Sequence, residues 1–343
     1  MPVKTPFPWF GGKSRAAGLI WSRIGSDIGN YCEPFFGSGA VWLGRPASYD
    51  GWAVGNDLDG NVCNFWRSVE RFPAETAEAA DYPVNECDLH ARHLWLVTNL
   101  PKLSGRLMAD PEYCEPRTAG WWAWGACQWI GGGWCSGSGP WIAEPDEDGI
   151  AVLKIGNAGR GVNRQLPHVG NAGCGVNRQL PHVGNAGRGV NRQRRQWLIA
   201  WFDELRDALR NIRMCCGDWQ RICSAGTLIS NGACGVVLDP PYSQTDAVYA
   251  HDSSTVAHDV RQWCIDNGAN PLLRIALCGH DGEHDKLSAL GWTEAQWGTH
   301  GGYQGKDDRE RIWFSPHCLK DDQSLFAFGA DAEDVITNGE VGK

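Results

Sequence analysis

Apolar positions along this chain follow two rhythms that alternate. Short apolar runs closed by Gly, Pro or an acid stand at Asn30 to Cys32, Trp52 to Val54, Arg213 to Cys216, Val236 to Leu238 and Leu272 to Cys278, and each reads as a buried strand. Between them apolar residues recur at helical spacing. Ala16, Ala17, Leu19, Ile20 and Ile24 form one such face, Asn61 to Phe72 and Val256 to Asn267 form others, and Trp197, Leu198, Trp201, Leu205, Leu209 and Ile212 form a fourth. A last strand pair is expected around Glu294 to Trp297 and Arg311 to Phe314. Strands and helices in alternation predict an α/β protein with an open, doubly wound sheet that ends in an antiparallel hairpin.

The middle of the chain breaks this rhythm. Tyr82 to Leu107 reads as helical, and Trp121 to Ile130 is crowded with indoles, which suit a small second core or a surface that stacks against bases. From Gly156 a fourteen-residue unit recurs: GNAGRGVNRQLPHV at 156–169, GNAGCGVNRQLPHV at 170–183 and GNAGRGVNRQ at 184–193. Its Gly, Asn and Pro content opposes helix and strand alike, so it reads as a duplicated loop. The α/β rhythm is expected to form one domain from 1–75 and 197–317, interrupted by an inserted region at 76–196 and followed by a mobile acidic tail at 318–343.

Charge adds a partner class. The whole chain has a formal net charge of −9, but Lys154 to Arg213 holds eleven Lys or Arg against three acids. A basic zone suits phosphate, with Arg160, Arg164, Arg178, Arg188, Arg192, Arg194 and Arg195 as candidate DNA contacts. The same run also reads as solvated loop charge. Fourteen cysteines without a C-x-x-C pair predict free structural thiols and no metal site. The absence of a charged-then-apolar leader or a long apolar run predicts a cytoplasmic protein with no membrane association.

Four short stretches hold candidate chemistry. Pro8-Trp9-Phe10-Gly11-Gly12-Lys13 places two glycines and a cation before a helix, suited to an anionic group, although a plain Gly-Gly turn looks the same. Glu33-Pro34-Phe35-Phe36-Gly37-Ser38-Gly39 is a glycine turn between a strand and a helix, as nucleotide binding requires. Trp42 stands where a dinucleotide fingerprint needs its third glycine, which disfavours a nicotinamide cofactor. Asp57 ends the next strand and suits a ribose diol, or alternatively a helix cap. Asp218 and Trp219 follow a further strand and suit a purine ring. Finally, Asp239-Pro240-Pro241-Tyr242 sets a carboxylate, donor-less prolines and an aromatic at a strand end.

FGGK at 10–13, EPFFGSG at 33–39, NDLD at 56–59 and DPPY at 239–242, in this order, resemble the Dam-type (D12 class) adenine-N6 DNA methyltransferases. The resemblance covers about half of the chain by motif spacing, its N-terminal ~70 residues and a later stretch from Trp197 to Ser315. It implies a Rossmann-like methyltransferase sheet, S-adenosylmethionine as cofactor, double-stranded DNA as substrate and no obligatory protein partner. It also implies a phage or mobile-element setting and a place in DNA modification or restriction-modification. Carried over residue by residue, it assigns Asp239, Pro240, Pro241 and Tyr242 to the target base. Trp9, Gly12, Lys13, Glu33, Phe35, Gly37, Gly39, Asp57, Asp218 and Asp239 fall to the cofactor. Cytosine-N4 methylation and an idle DNA-binding homologue remain as alternatives.

Overall fold

The computed structural model describes residues 3–9, 12–99, 103–129, 134–135, 141–145, 151–155, 192–242, 255–297, 299–302, 305–307 and 309–320. Its strands are β1 Asn30–Glu33, β2 Trp52–Asp57, β3 Trp141–Pro145, β4 Ala151–Ile155, β5 Ile212–Cys216, β6 Cys234–Leu238, β7 Leu273–His280, β8 Thr293–Gln296, β9 Thr299–Gly302, β10 Gly305–Asp307 and β11 Glu310–Phe314. Seven of them form one sheet in the order β5-β2-β1-β6-β7-β11-β8. The pairs β5/β2, β2/β1, β1/β6 and β6/β7 are parallel, whereas β11 is antiparallel to both neighbours. The expected terminal antiparallel pair is present as β8 and β11, with β11 on the inner side, between β7 and β8. With helices on both faces, this is a mixed α/β, mainly parallel, Rossmann-like sheet.

The helices are α1 Ala17–Ile24, α2 Ala40–Leu43, α3 Gly60–Arg71, α4 Pro73–Ala79, α5 Glu86–Asn99, α6 Leu103–Ala109, α7 Pro116–Gln128, α8 Arg192–Ala208, α9 Ala225–Leu228 and α10 Val256–Asn267. Alternate strand residues go to opposite faces, and both faces are covered. Tyr31, Val237, Ala276, Cys278, Ile312 and Phe314 join a core built with α1, α3, α7 and α8. Cys32, Val236, Leu238, Ile275, Leu277 and Trp313 pack on the other side against Val260 and Cys264 of α10.

The tryptophan-rich segment joins the main core. Trp122 and Trp124 of α7 are buried with Phe7, Phe65 and Phe202 in the same cluster as the sheet residues. On α8, Leu198, Trp201 and Leu205 of the expected apolar face are buried together with Phe202, whereas Trp197 is exposed. Helices α3, α4, α7 and α8 thus pack on one another across the expected boundaries at 75/76 and 196/197. Most of the repeat region and residues 321–343 lie outside the described residues. Cys318 and Leu319, at the start of the expected tail, are fixed: Leu319 N–H donates to the Arg23 carbonyl, and Arg23 donates back to the Leu319 carbonyl. No described helix is long and apolar enough to cross a membrane. The described cysteines are free thiols, and no metal-holding group occurs among the described residues.

Candidate active site

Parallel pairing delivers the carboxyl ends of β5, β2, β1, β6 and β7 to one edge of the sheet. The connection out of β1 runs to β2 on one side and the connection out of its neighbour β6 runs to β7 on the other, and this switch of direction opens a crevice where ligands bind in open α/β sheets. Glu33, Asp57 and Asp239 end or directly follow three adjacent strands at that edge. Asn56, buried at 1 % exposure, ties the edge together by donating to the carbonyls of Pro34 and Gly217.

The glycine turn is shaped by its backbone. Gly37 and Gly39 have φ of 46° and 65°, where a side chain is strained. A Cβ on Gly37 would also lie 2.5 Å from Trp9 Nε1. Trp9 thus covers the turn from the N-terminal segment, and its carbonyl accepts from Gly12 N–H at 3.0 Å. Phe10 and Gly11 lie outside the described residues. Phe35 is half-buried with its ring centroid 6.1 Å from Trp219, which leads the short helix capped by Asp218. Asp218 itself is exposed and accepts from Gln220 N–H.

Asp57 bridges two segments of this edge, accepting Gly37 N–H at 2.8 Å and Asp59 N–H at 2.9 Å. The cap of α3 is Asp59, whose carboxylate accepts Asn61 N–H. Burial is the main cause that lifts the Asp57 carboxyl to about 7, with Asp59 adding to it and the backbone donors opposing it. Burial likewise lifts Glu33 to about 8, against the hydrogen bond from Tyr31 and with help from Asp239 and Asp57. Burial thus favours the protonated form of both groups.

Four polar groups converge beyond β6. Lys13 Nζ lies 2.9 Å from Asp239 Oδ1 and 2.9 Å from the Tyr242 hydroxyl. Tyr242 Oη is 3.2 Å from Asp239 Oδ1 and 2.9 Å from Glu310 Oε2. Glu310 also lies 3.8 Å from Lys13 Nζ, and the Tyr242 ring meets His280 edge-on at 4.5 Å. Burial works against the Lys13 charge, yet Asp239, Cys278 and Glu310 hold its pKa above the usual lysine range. Burial, then Asp239 and Glu310, keep the Tyr242 phenol protonated. Pro240 is buried beneath this cluster.

Lys13 therefore sits against Asp239, a pairing that sequence spacing does not reveal. Glu310, Asn56, Tyr31 and His280 had no place in the expected site. Glu310 reaches it because β11 runs against the sheet, so its first residue arrives at the edge where the other strands end, opposite His280. The one available signal was an acid immediately before the terminal apolar run Ile312-Trp313-Phe314.

Of the candidate DNA contacts, Arg160, Arg164, Arg178 and Arg188 lie outside the described residues, and Arg192 and Arg194 are placed only as backbone of α8. Arg195 lies 2.6 Å from Glu78, in a groove of about 540 Å³ whose lining includes Glu75, Asp81 and Glu115. That groove is separate from the crevice. No curated protein matches the chain significantly. Residues 9–89, which contain the Trp9 to Lys13 segment, the glycine turn and Asp57, match the family of D12 class N6 adenine-specific DNA methyltransferases.

Proposed function

We propose that the protein transfers a methyl group from S-adenosylmethionine to the N6 amine of an adenine swung out of duplex DNA. The observation that carries this reading is the position of the Asp239 carboxylate. It stands at the end of β6, on the same sheet edge as the Gly37 to Gly39 turn and Asp57, in a chain whose residues 9–89 match the family.

The residues fit such a cofactor. The turn lacks the Cβ atoms that would fill it, Asp57 has lone pairs for a ribose diol, and the Glu33, Asp57 and Asp239 carboxyls line an edge where a sulfonium would favour their ionised forms. When bound, the cofactor supplies an activated methyl group whose carbon–sulfur bond breaks with the electron pair leaving on sulfur. Trp9, Gly12, Phe35 and Asp218 border the places for its methionine and adenine ends.

The chain's own task is to make a poor nucleophile attack. The amine lone pair of adenine is delocalised into the ring, and accepting its hydrogens favours the pyramidal nitrogen that develops in the transition state. Asp239 Oδ1 and the Pro240 carbonyl are the acceptors in this reading. Prolines at 240 and 241 fix φ and supply no competing N–H. Tyr242 offers a ring for the extrahelical base, and the proton released from N6 passes through Asp239 to solvent. No cysteine is required: burial keeps Cys278, the thiol near the cluster, strongly protonated.

The test is incubation with methyl-tritiated S-adenosylmethionine and unmethylated duplex DNA, then digestion to nucleosides. Label in N6-methyldeoxyadenosine supports the reading, and label in N4-methyldeoxycytidine replaces it with the cytosine alternative. Cofactor binding without transfer to DNA identifies an idle homologue.

A further inference from the structure

We infer that Glu310 is a positioning residue that draws Lys13 away from Asp239 when the target amine docks; this rests on the function proposed above. The ligand-free geometry poses the problem. The Asp239 carboxylate, which must accept an amine N–H, already receives Lys13 Nζ on Oδ1 at 2.9 Å, with the Tyr242 hydroxyl oxygen crowding the same atom at 3.2 Å. An ammonium at 3 % exposure does not abandon a carboxylate unless another anion is within reach.

Glu310 Oε2 is that anion. It already accepts from Tyr242 at 2.9 Å and stands 3.8 Å from Lys13 Nζ, so a shift of about one ångström brings it into hydrogen-bonding range of Lys13. Glu310 thus holds the Tyr242 proton already and stands within reach of Lys13 as well. At 7 % side-chain exposure Glu310 is itself buried, and water does not screen its pull. The resting lysine occupies the place of the amine donor, and Glu310 makes that occupancy reversible. The antiparallel run of β11 is what brings this second carboxylate into a crevice otherwise built from parallel strand ends.

Glu310→Gln tests the charge while retaining an acceptor for Tyr242 and nearly the same volume. Tritiated methyl transfer to unmethylated duplex DNA gives kcat, and calorimetric titration gives the affinity for S-adenosylmethionine. Expected is a fall in kcat of about tenfold to a hundredfold, the worth of a charge-assisted hydrogen bond, with cofactor affinity held within about twofold. Glu310→Asp, which restores the charge one methylene short, recovers part of the loss. A purely structural role would instead lower thermal stability and cofactor affinity and spare kcat. If Glu310→Gln does not fold, Glu310→Asp alone decides, with reduced kcat at unchanged cofactor affinity expected. An unchanged kcat in the folded variants overturns the inference while leaving the proposed function standing. A wild-type protein that methylates no DNA overturns both.

Discussion

Asp239 accepts from the buried Lys13 ammonium at 2.9 Å, so replacing it affects stability as well as chemistry. Asp239→Ala is expected to abolish tritiated methyl transfer. It should also lower the unfolding free energy by about 1–3 kcal/mol, because Lys13 keeps Glu310 as counter-ion but loses its closer partner. A urea melt alongside the transfer assay checks both halves; near-normal turnover in a folded variant removes Asp239 from the mechanism. The carboxyls at about 7 and about 8 give a pH dependence whose sign is fixed. Asp57 and Glu33 bind protons in the folded protein well above their ordinary values of 3.8 and 4.5. Their contribution is complete below those values and is lost as pH rises through the folded ones, at about 1.4 kcal/mol per pH unit for each group. His93 and His284, held near 4 mainly by burial, act oppositely between about 4 and 6.5. Above pH 6.5 the carboxyls dominate among these groups, and the protein should lose stability from pH 6.5 to 8. Bound S-adenosylmethionine favours the ionised carboxyls, so the cofactor-induced rise in melting temperature should be larger at pH 8 than at pH 6.5. An equal or smaller shift at pH 8 would place the cofactor away from Asp57 and Glu33.

Single elements show what glycine does in different settings. Gly37→Ala places a Cβ 2.5 Å from Trp9 Nε1 at a φ of 46°, and should cost about 1–3 kcal/mol while weakening cofactor binding. Gly18, by contrast, is an interior residue of α1 with no atom within 4 Å of an added Cβ. Gly18→Ala should stabilise by about 0.5–1 kcal/mol with no change in cofactor affinity, measured by the same melts and titrations. The contrast separates conformational need from mere presence of glycine. It also marks what was legible in the chain. Strands β1, β2, β5, β6 and β7 announced themselves by apolar runs with punctuated ends, and α10 occupies Val256–Asn267 as its periodicity predicts. Strand order was not legible, because nothing local tells β11 to enter between β7 and β8. Glu310 was missed for the same reason, since its place depends on strand direction. The indoles of α7 could not be assigned to one core or two until α3 and α8 were placed against them.

At the scale of the whole molecule the repeats are the open element. They join β4, which ends at Ile155, to α8, which begins at Arg192. Deleting one unit, Gly170 to Val183, leaves the flanking sequence unchanged because the cut joins identical residues. Folding should survive, since the deletion shortens the connection and removes no residue of the described core. If the repeat arginines meet phosphate, DNA affinity falls modestly. Its dependence on log salt then becomes shallower by a slope of roughly 0.9 for each duplex phosphate that the shortened loop no longer neutralises. Replacing Arg160, Arg164, Arg178, Arg188 and Arg192 together with Gln should weaken binding far more than the deletion, because no copy of the repeat then carries a guanidinium. Arg195 is a poor substitute for them: its guanidinium is engaged by Glu78 in an acid-lined groove that repels phosphate. Fluorescence anisotropy of a labelled duplex across a salt series measures affinity and slope together. An unchanged slope in the five-fold variant would make the repeats a lengthened spacer and move the search for the DNA surface to the crevice rim.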